Sequence, residues 1–179
     1  MGWHGSNLLR LSPVRTRQQI RPPAVEARGG SADWAKLVPD HDLDIADGQH
    51  FTLGDTTLTF CITPGHTPGA VTTVFRVTDQ GQPHVAALYG GFGMPSSVED
   101  KKVHLASLAR FRKIAQAAGV DTLIANHQTQ DLSLHKLEIL RLRRSGDPNP
   151  YVIGKDAYLR YLDIQSECTL YAMAREGQK

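Results

Sequence analysis

The chain has 179 residues, 40% of them apolar and 21% charged, with a formal net charge of +2; that suffices for one domain with a core of its own. So small a positive charge argues against a nucleic-acid partner, and no apolar run approaches the ~20 residues of a membrane span. The two cysteines, Cys61 and Cys168, are too few for a disulfide framework; both are read as buried thiols in a cytoplasmic, reducing compartment.

Nothing near the N-terminus has the apolar core of a secretory signal. Residues 1–32 carry five arginines (Arg10, Arg15, Arg17, Arg21, Arg28) against one acid, Glu26, together with Pro13, Pro22 and Pro23. Such a segment buries little apolar surface and is expected to be irregular. An organelle presequence and a nucleic-acid arm are two readings. The prolines oppose the amphipathic helix that a presequence needs. The reading we favour is that 1–32 is not native to the domain, as a wrong start site or a shifted frame would produce. Residues 33–179 are taken as the domain.

From Asp33 onward the elements follow one another in order. Phe51–Leu53 and Thr57–Ile62 are β-prone runs flanking a Gly54-Asp55 turn. A loop, Thr63-Pro64-Gly65-His66-Thr67-Pro68-Gly69, precedes strands at Val71–Val77 and Val85–Tyr89. Ser96 and Glu99 have the spacing of a capping box. Leu108, Phe111, Ala115 and Ala118 then mark one face of a helix that Gly119 stops. Val120–Ala125 reads as a buried strand ending at Asn126-His127. Helices follow at Ser133–Arg144 and from Lys155, the latter with an apolar stripe of Ala157, Tyr161, Ile164, Cys168 and Tyr171. Between them, the loop from Asp147 to Tyr151 reads as a connector, and Lys136, Arg141, Arg143 and Arg144 as offsetting a helix dipole. Strands followed by alternating helix and strand indicate an α/β layered domain.

Two histidines occupy positions suited to chemistry. His66 lies in a Gly/Pro-rich loop directly after one strand, and His127 ends another. Loops at strand ends can hold ligands at fixed geometry and leave a coordination position open, and neutral imidazole suits Zn²⁺. A histidine taken singly is more often a surface or core residue, and on that ground His4, His41, His50, His84, His104 and His135 need no special role.

Thr63-Pro64-Gly65-His66-Thr67-Pro68-Gly69 resembles the loop motif of the metallo-β-lactamase superfamily whose histidine binds the first zinc. Ala125-Asn126-His127 resembles the late motif whose histidine binds the second. Tyr89-Gly90-Gly91-Phe92-Gly93 stands where many hydrolytic members place a bridging aspartate, and its glycines resemble the lactamase-like branch that uses none. The resemblance implies a partial αββα sandwich. It also implies a zinc-dependent hydrolase in which metal-bound hydroxide attacks a carbonyl or ester of a small-molecule substrate, with His66 and His127 as metal ligands. The family's leading His-x-His-x-Asp-His motif is absent, and neither His4-Gly5 nor His41-Asp42-Leu43-Asp44 matches it. The chain thus resembles the C-terminal half only, and enzyme activity stays open. A non-catalytic remnant or a mispredicted fragment unable to hold metal is the alternative. His41 and His50 are substitute ligands without a supporting spacing.

Overall fold

A computed structural model describes residues 44–91 and 93–177; the expected irregular segment 1–32, with His4 and His41, lies outside them. The strands are β1 (His50–Leu53), β2 (Thr56–Ile62), β3 (Val71–Asp79), β4 (Gln82–Leu88) and β5 (Thr122–Ile124). The helices are α1 (Val98–Ala118), the single turn α2 (Gln128–Asp131), α3 (Ser133–Leu142) and α4 (Lys155–Glu176). No helix among the described residues is long and apolar enough to cross a membrane.

Among the described residues five strands form one sheet in the order β1-β2-β3-β4-β5. The β1–β2, β2–β3 and β3–β4 pairs are antiparallel, and β4–β5 is parallel. The first hairpin turns where Gly54-Asp55 predicts it, and the second at Gln80-Gly81, both in left-handed backbone. Alternation along the strands sends Cys61, Val74, Ala87 and Leu123 to one face. There they meet Leu108, Phe111 and Ala115 of α1 and Tyr158 and Leu162 of α4. Burying each of the larger side chains contributes about 1.5–3 kcal/mol, and this single cluster fixes α1 against the sheet. Burial raises the Cys61 thiol to about 11, with Asp47 adding to the shift, so it is inert at neutral pH.

Several expectations shift in register. The N-cap of α1 is Ser97, whose hydroxyl accepts from the Asp100 amide and donates to the Asp100 carboxylate; the capping pair thus sits one residue later than Ser96 and Glu99. Gly119 closes the helix in left-handed backbone as expected, while Ala118 points outward. On α4 the buried residues are Tyr158, Leu162 and Thr169; Ile164, Cys168 and Tyr171 are exposed. Cys168 is therefore not a buried thiol. The basic run does more than offset a dipole. Arg143 makes two hydrogen bonds of 2.6 Å to the Asp79 carboxylate, Arg141 pairs with Glu138, and Lys136 sits over the Tyr151 ring. Asn149 also donates to Asp79, so the Asp147–Tyr151 connector is tied back to the β3–β4 hairpin.

At the start of β5, the Asp121 carboxylate accepts from His84 Nδ1, the Val85 amide and the Thr122 hydroxyl. Burial pushes its pKa up, but these hydrogen bonds and the His84 charge outweigh it and hold the group below the usual carboxylate value. A lowered carboxyl contributes its stability in full above the unfolded-state value of about 4 and loses it as pH falls through the folded value. Urea midpoints are therefore expected to fall as the medium is acidified below about pH 4, and Asp121→Asn should flatten part of that fall. An unchanged acid slope in the variant would show that the cluster contributes nothing to it.

Candidate metal centre

Strand directions decide where the two histidines emerge. With β2, β4 and β5 all running the same way, their C-terminal ends lie at one end of the sheet. The His66 loop, the Gly90-Gly91 turn and the Asn126-His127 turn all leave from that end.

The His66 loop is built by its own backbone and by α1. Thr63 N–H donates to the Ala70 carbonyl, while Gly65 and Ala70 N–H both donate to the Thr67 carbonyl. The buried Thr63 and Thr72 hydroxyls share a hydrogen bond of 2.7 Å, and Gly90 N–H donates to Thr72 Oγ1, which links the ends of β2, β3 and β4. From the helix side, Ser107 Oγ donates to the Pro64 carbonyl at 2.6 Å and Arg110 to the Ile62 carbonyl at 3.0 Å. Asp47 accepts from both the Ile62 amide and Arg110. One turn nearer the start of α1, His104 lies against Gly65. A β-carbon on Gly65 would fall 2.6 Å from His104 Cα and Cβ and 3.0 Å from Nδ1, so the close approach requires glycine.

His66 itself is exposed. Its ring lies so near Gly93 that a β-carbon there would come within 2.4 Å of Nδ1 and 2.5 Å of Cε1. A β-carbon on Gly90 would strike the Val71 carbonyl at 1.9 Å, and one on Gly91 the Tyr89 ring at 2.6 Å. Gly90, against main-chain atoms, and Gly91, against the buried Tyr89 ring, are therefore packing requirements where an aspartate could have stood.

His127 is also exposed. It caps α2 in extended backbone, and its carbonyl accepts from Gln130 N–H. The turn beneath it is fixed by Asp131, a buried carboxylate that accepts from the Ala125 and Ser133 amides at 3.0 and 2.9 Å. His50, the substitute considered from sequence, is engaged with Thr59 Oγ1 at 3.0 Å.

His104 had no assigned role in the sequence, yet it is only 4% exposed. Its ring meets Tyr89 edge-on at 6.2 Å, and no hydrogen bond reaches its buried Nδ1. Burial, and after it the charge of His66, lowers its pKa. Its position four residues before Leu108, on the stripe that continues through Phe111 and Ala115, was the available signal.

The donors present suit a transition metal in kind, since exposed or unpartnered imidazole is what such an ion takes. They fall short in number. Among the described residues no three or more His, Cys, Asp and Glu side chains gather as a metal site, whereas a catalytic zinc takes three protein ligands and a water. The described residues thus do not make a complete zinc centre.

The fold is that of the metallo-β-lactamase superfamily, represented here in part by one sheet and its helices. BJP-1, a subclass B3 metallo-β-lactamase of Bradyrhizobium japonicum, is similar at 25% identity and TM-score 0.59, over 75% of this chain and 51% of that one. Native FEZ-1 metallo-β-lactamase from Legionella gormanii aligns at 20% identity and TM-score 0.62, over 87% of this chain and 63% of that one. A Cronobacter sakazakii metallo-β-lactamase aligns at 23% identity and TM-score 0.58, over 87% and 57%. The chain spans about half the length of the first of these structures. No protein-family model matches the sequence, and no curated protein does.

Proposed function

We propose that this chain carries one part of a metal-dependent hydrolase, acting on the carbonyl or ester of a small molecule, and that its described residues alone hold metal too weakly for turnover. The observation behind this reading is the His66 loop. It is an exposed imidazole on a loop braced by Ser107 and Arg110, opening at the same sheet end as the His127 turn. His66 and His127 would hold zinc, which when bound supplies Lewis acidity and an acidified water. The chain's own contribution is placement: Gly93 leaves room for the His66 ring, and Asp131 fixes the backbone that carries His127. β-Lactams, thioesters and lactones are candidate substrates, because the fold leaves the substrate open.

The shortage of donors among the described residues also supports a second reading, a non-catalytic remnant. Elemental analysis of the purified chain should find less than one zinc per molecule, with no hydrolysis of the three substrate classes above background when zinc is added. Supplying a segment that bears the His-x-His-x-Asp-His motif, fused or in trans, should restore both. Failure of that segment to restore either favours the remnant. Stoichiometric zinc with turnover that His66→Ala abolishes would overturn the weak-binding claim.

A further inference from the structure

We propose that His104 is a second imidazole donor beside His66, so that this loop holds a divalent transition-metal ion between two histidines. The proposal rests on the reading of His66 as a metal position, and it adds a residue that neither the loop motif nor the His127 motif contains.

Three observations carry it. His104 lies in contact with Gly65, the residue that directly precedes His66. Its Nδ1 is buried without a hydrogen-bond partner, although buried imidazole nitrogens ordinarily have one. The helix that presents it is also fixed to the loop at two further points, Ser107 on Pro64 and Arg110 on Ile62, so the ring cannot drift from the loop without breaking both. A core histidine that merely fills space would leave Nδ1 with an uncompensated desolvation cost. An ion bound there would remove that cost, with metal–nitrogen bonds of roughly 2.0–2.1 Å.

The probe is Cu²⁺, which stands at the top of the divalent affinity order and prefers imidazole nitrogen. Full-length chain bearing His4→Ala, which removes the imidazole closest to the N-terminal amine, is titrated with Cu²⁺ by calorimetry, and electron paramagnetic resonance counts the coupled nitrogens. The variants are His66→Ala, His127→Ala and His104→Phe, the last keeping an aromatic ring against Tyr89. The expected result is two coupled nitrogens at the tightest site, retained in His127→Ala, with affinity reduced about tenfold or more in both His66→Ala and His104→Phe. Should His104→Phe not fold, the nitrogen count in His127→Ala decides alone: two support the pair, one overturns it. If the second nitrogen is lost in His127→Ala and kept in His104→Phe, the pair is His66 and His127; this proposal then fails and the hydrolase reading stands. If His66→Ala leaves Cu²⁺ binding unchanged, both fail.

Discussion

Gly90→Ala is expected to destabilise the chain by about 3 kcal/mol, at the upper end of what an added methyl costs in a packed site. The new β-carbon would lie 1.9 Å from the Val71 carbonyl oxygen and 2.7 Å from its carbon. Both are main-chain atoms, so no rotamer change relieves the contact. The end of β4 must part from the start of β3, and Gly90 N–H then loses Thr72 Oγ1. Because Thr72 also bonds Thr63, the disturbance reaches the base of the His66 loop. Urea unfolding followed by circular dichroism measures the change. A loss below about 1 kcal/mol would show that the strand ends yield at little cost.

Phe111→Ala should cost more, about 4 kcal/mol, through lost transfer energy and the cavity left behind. Phe111 is fully buried, and its ring packs on Tyr89 at 5.5 Å. Tyr89 in turn touches His104, so the cavity would open beside the group that faces Gly65. Against a total stability of about 5–15 kcal/mol, such a loss leaves a marginal protein. A fall in urea midpoint at unchanged slope is the expected signature. A small change would mean that α1 collapses into the space, and the rest of the cluster would then be softer than its burial suggests.

What was legible in the sequence is what depends on local chemistry. Gly54-Asp55 and Gly119 mark their turns because few residues accept left-handed backbone. Leu108, Phe111 and Ala115 mark the buried face of α1 because apolar spacing and burial coincide there. The fold class followed from element order, and the His66 loop from an unusual run of glycines and prolines around one imidazole. The α4 stripe was misjudged by about one residue, or roughly 100° of helix rotation. That helix carries apolar residues nearly all round, and one of its buried positions is polar: Thr169, satisfied by donating to the Gln165 carbonyl. A pattern of polarity cannot show a hydroxyl that folds back on its own helix.

The same limit concealed His104 and Lys101. Both are buried on the apolar face of α1, and a sequence cannot state what lies opposite. For Lys101 the partners are the Ser96 carbonyl and Glu176, 75 positions away in the chain. For Asp131 they are two backbone amides on either side of its own turn. Arg143 finds Asp79 across 64 positions. The Lys101–Glu176 and Arg143–Asp79 pairings are made by tertiary approach, and in every case the residue type alone permits many partners.

The way α1 meets the His66 loop limits how this stretch of chain can change in length. His104, Ser107 and Arg110 stand three residues apart and engage Gly65, Pro64 and Ile62 in reverse order, like teeth of a rack laid against an antiparallel partner. A substitution removes one tooth and leaves the others engaged. A one-residue deletion within the toothed stretch turns everything beyond it by about 100° and draws it back about 1.5 Å, so the remaining teeth meet nothing. Insertions and deletions in the lineage of this protein should therefore spare the stretch from His104 to Arg110.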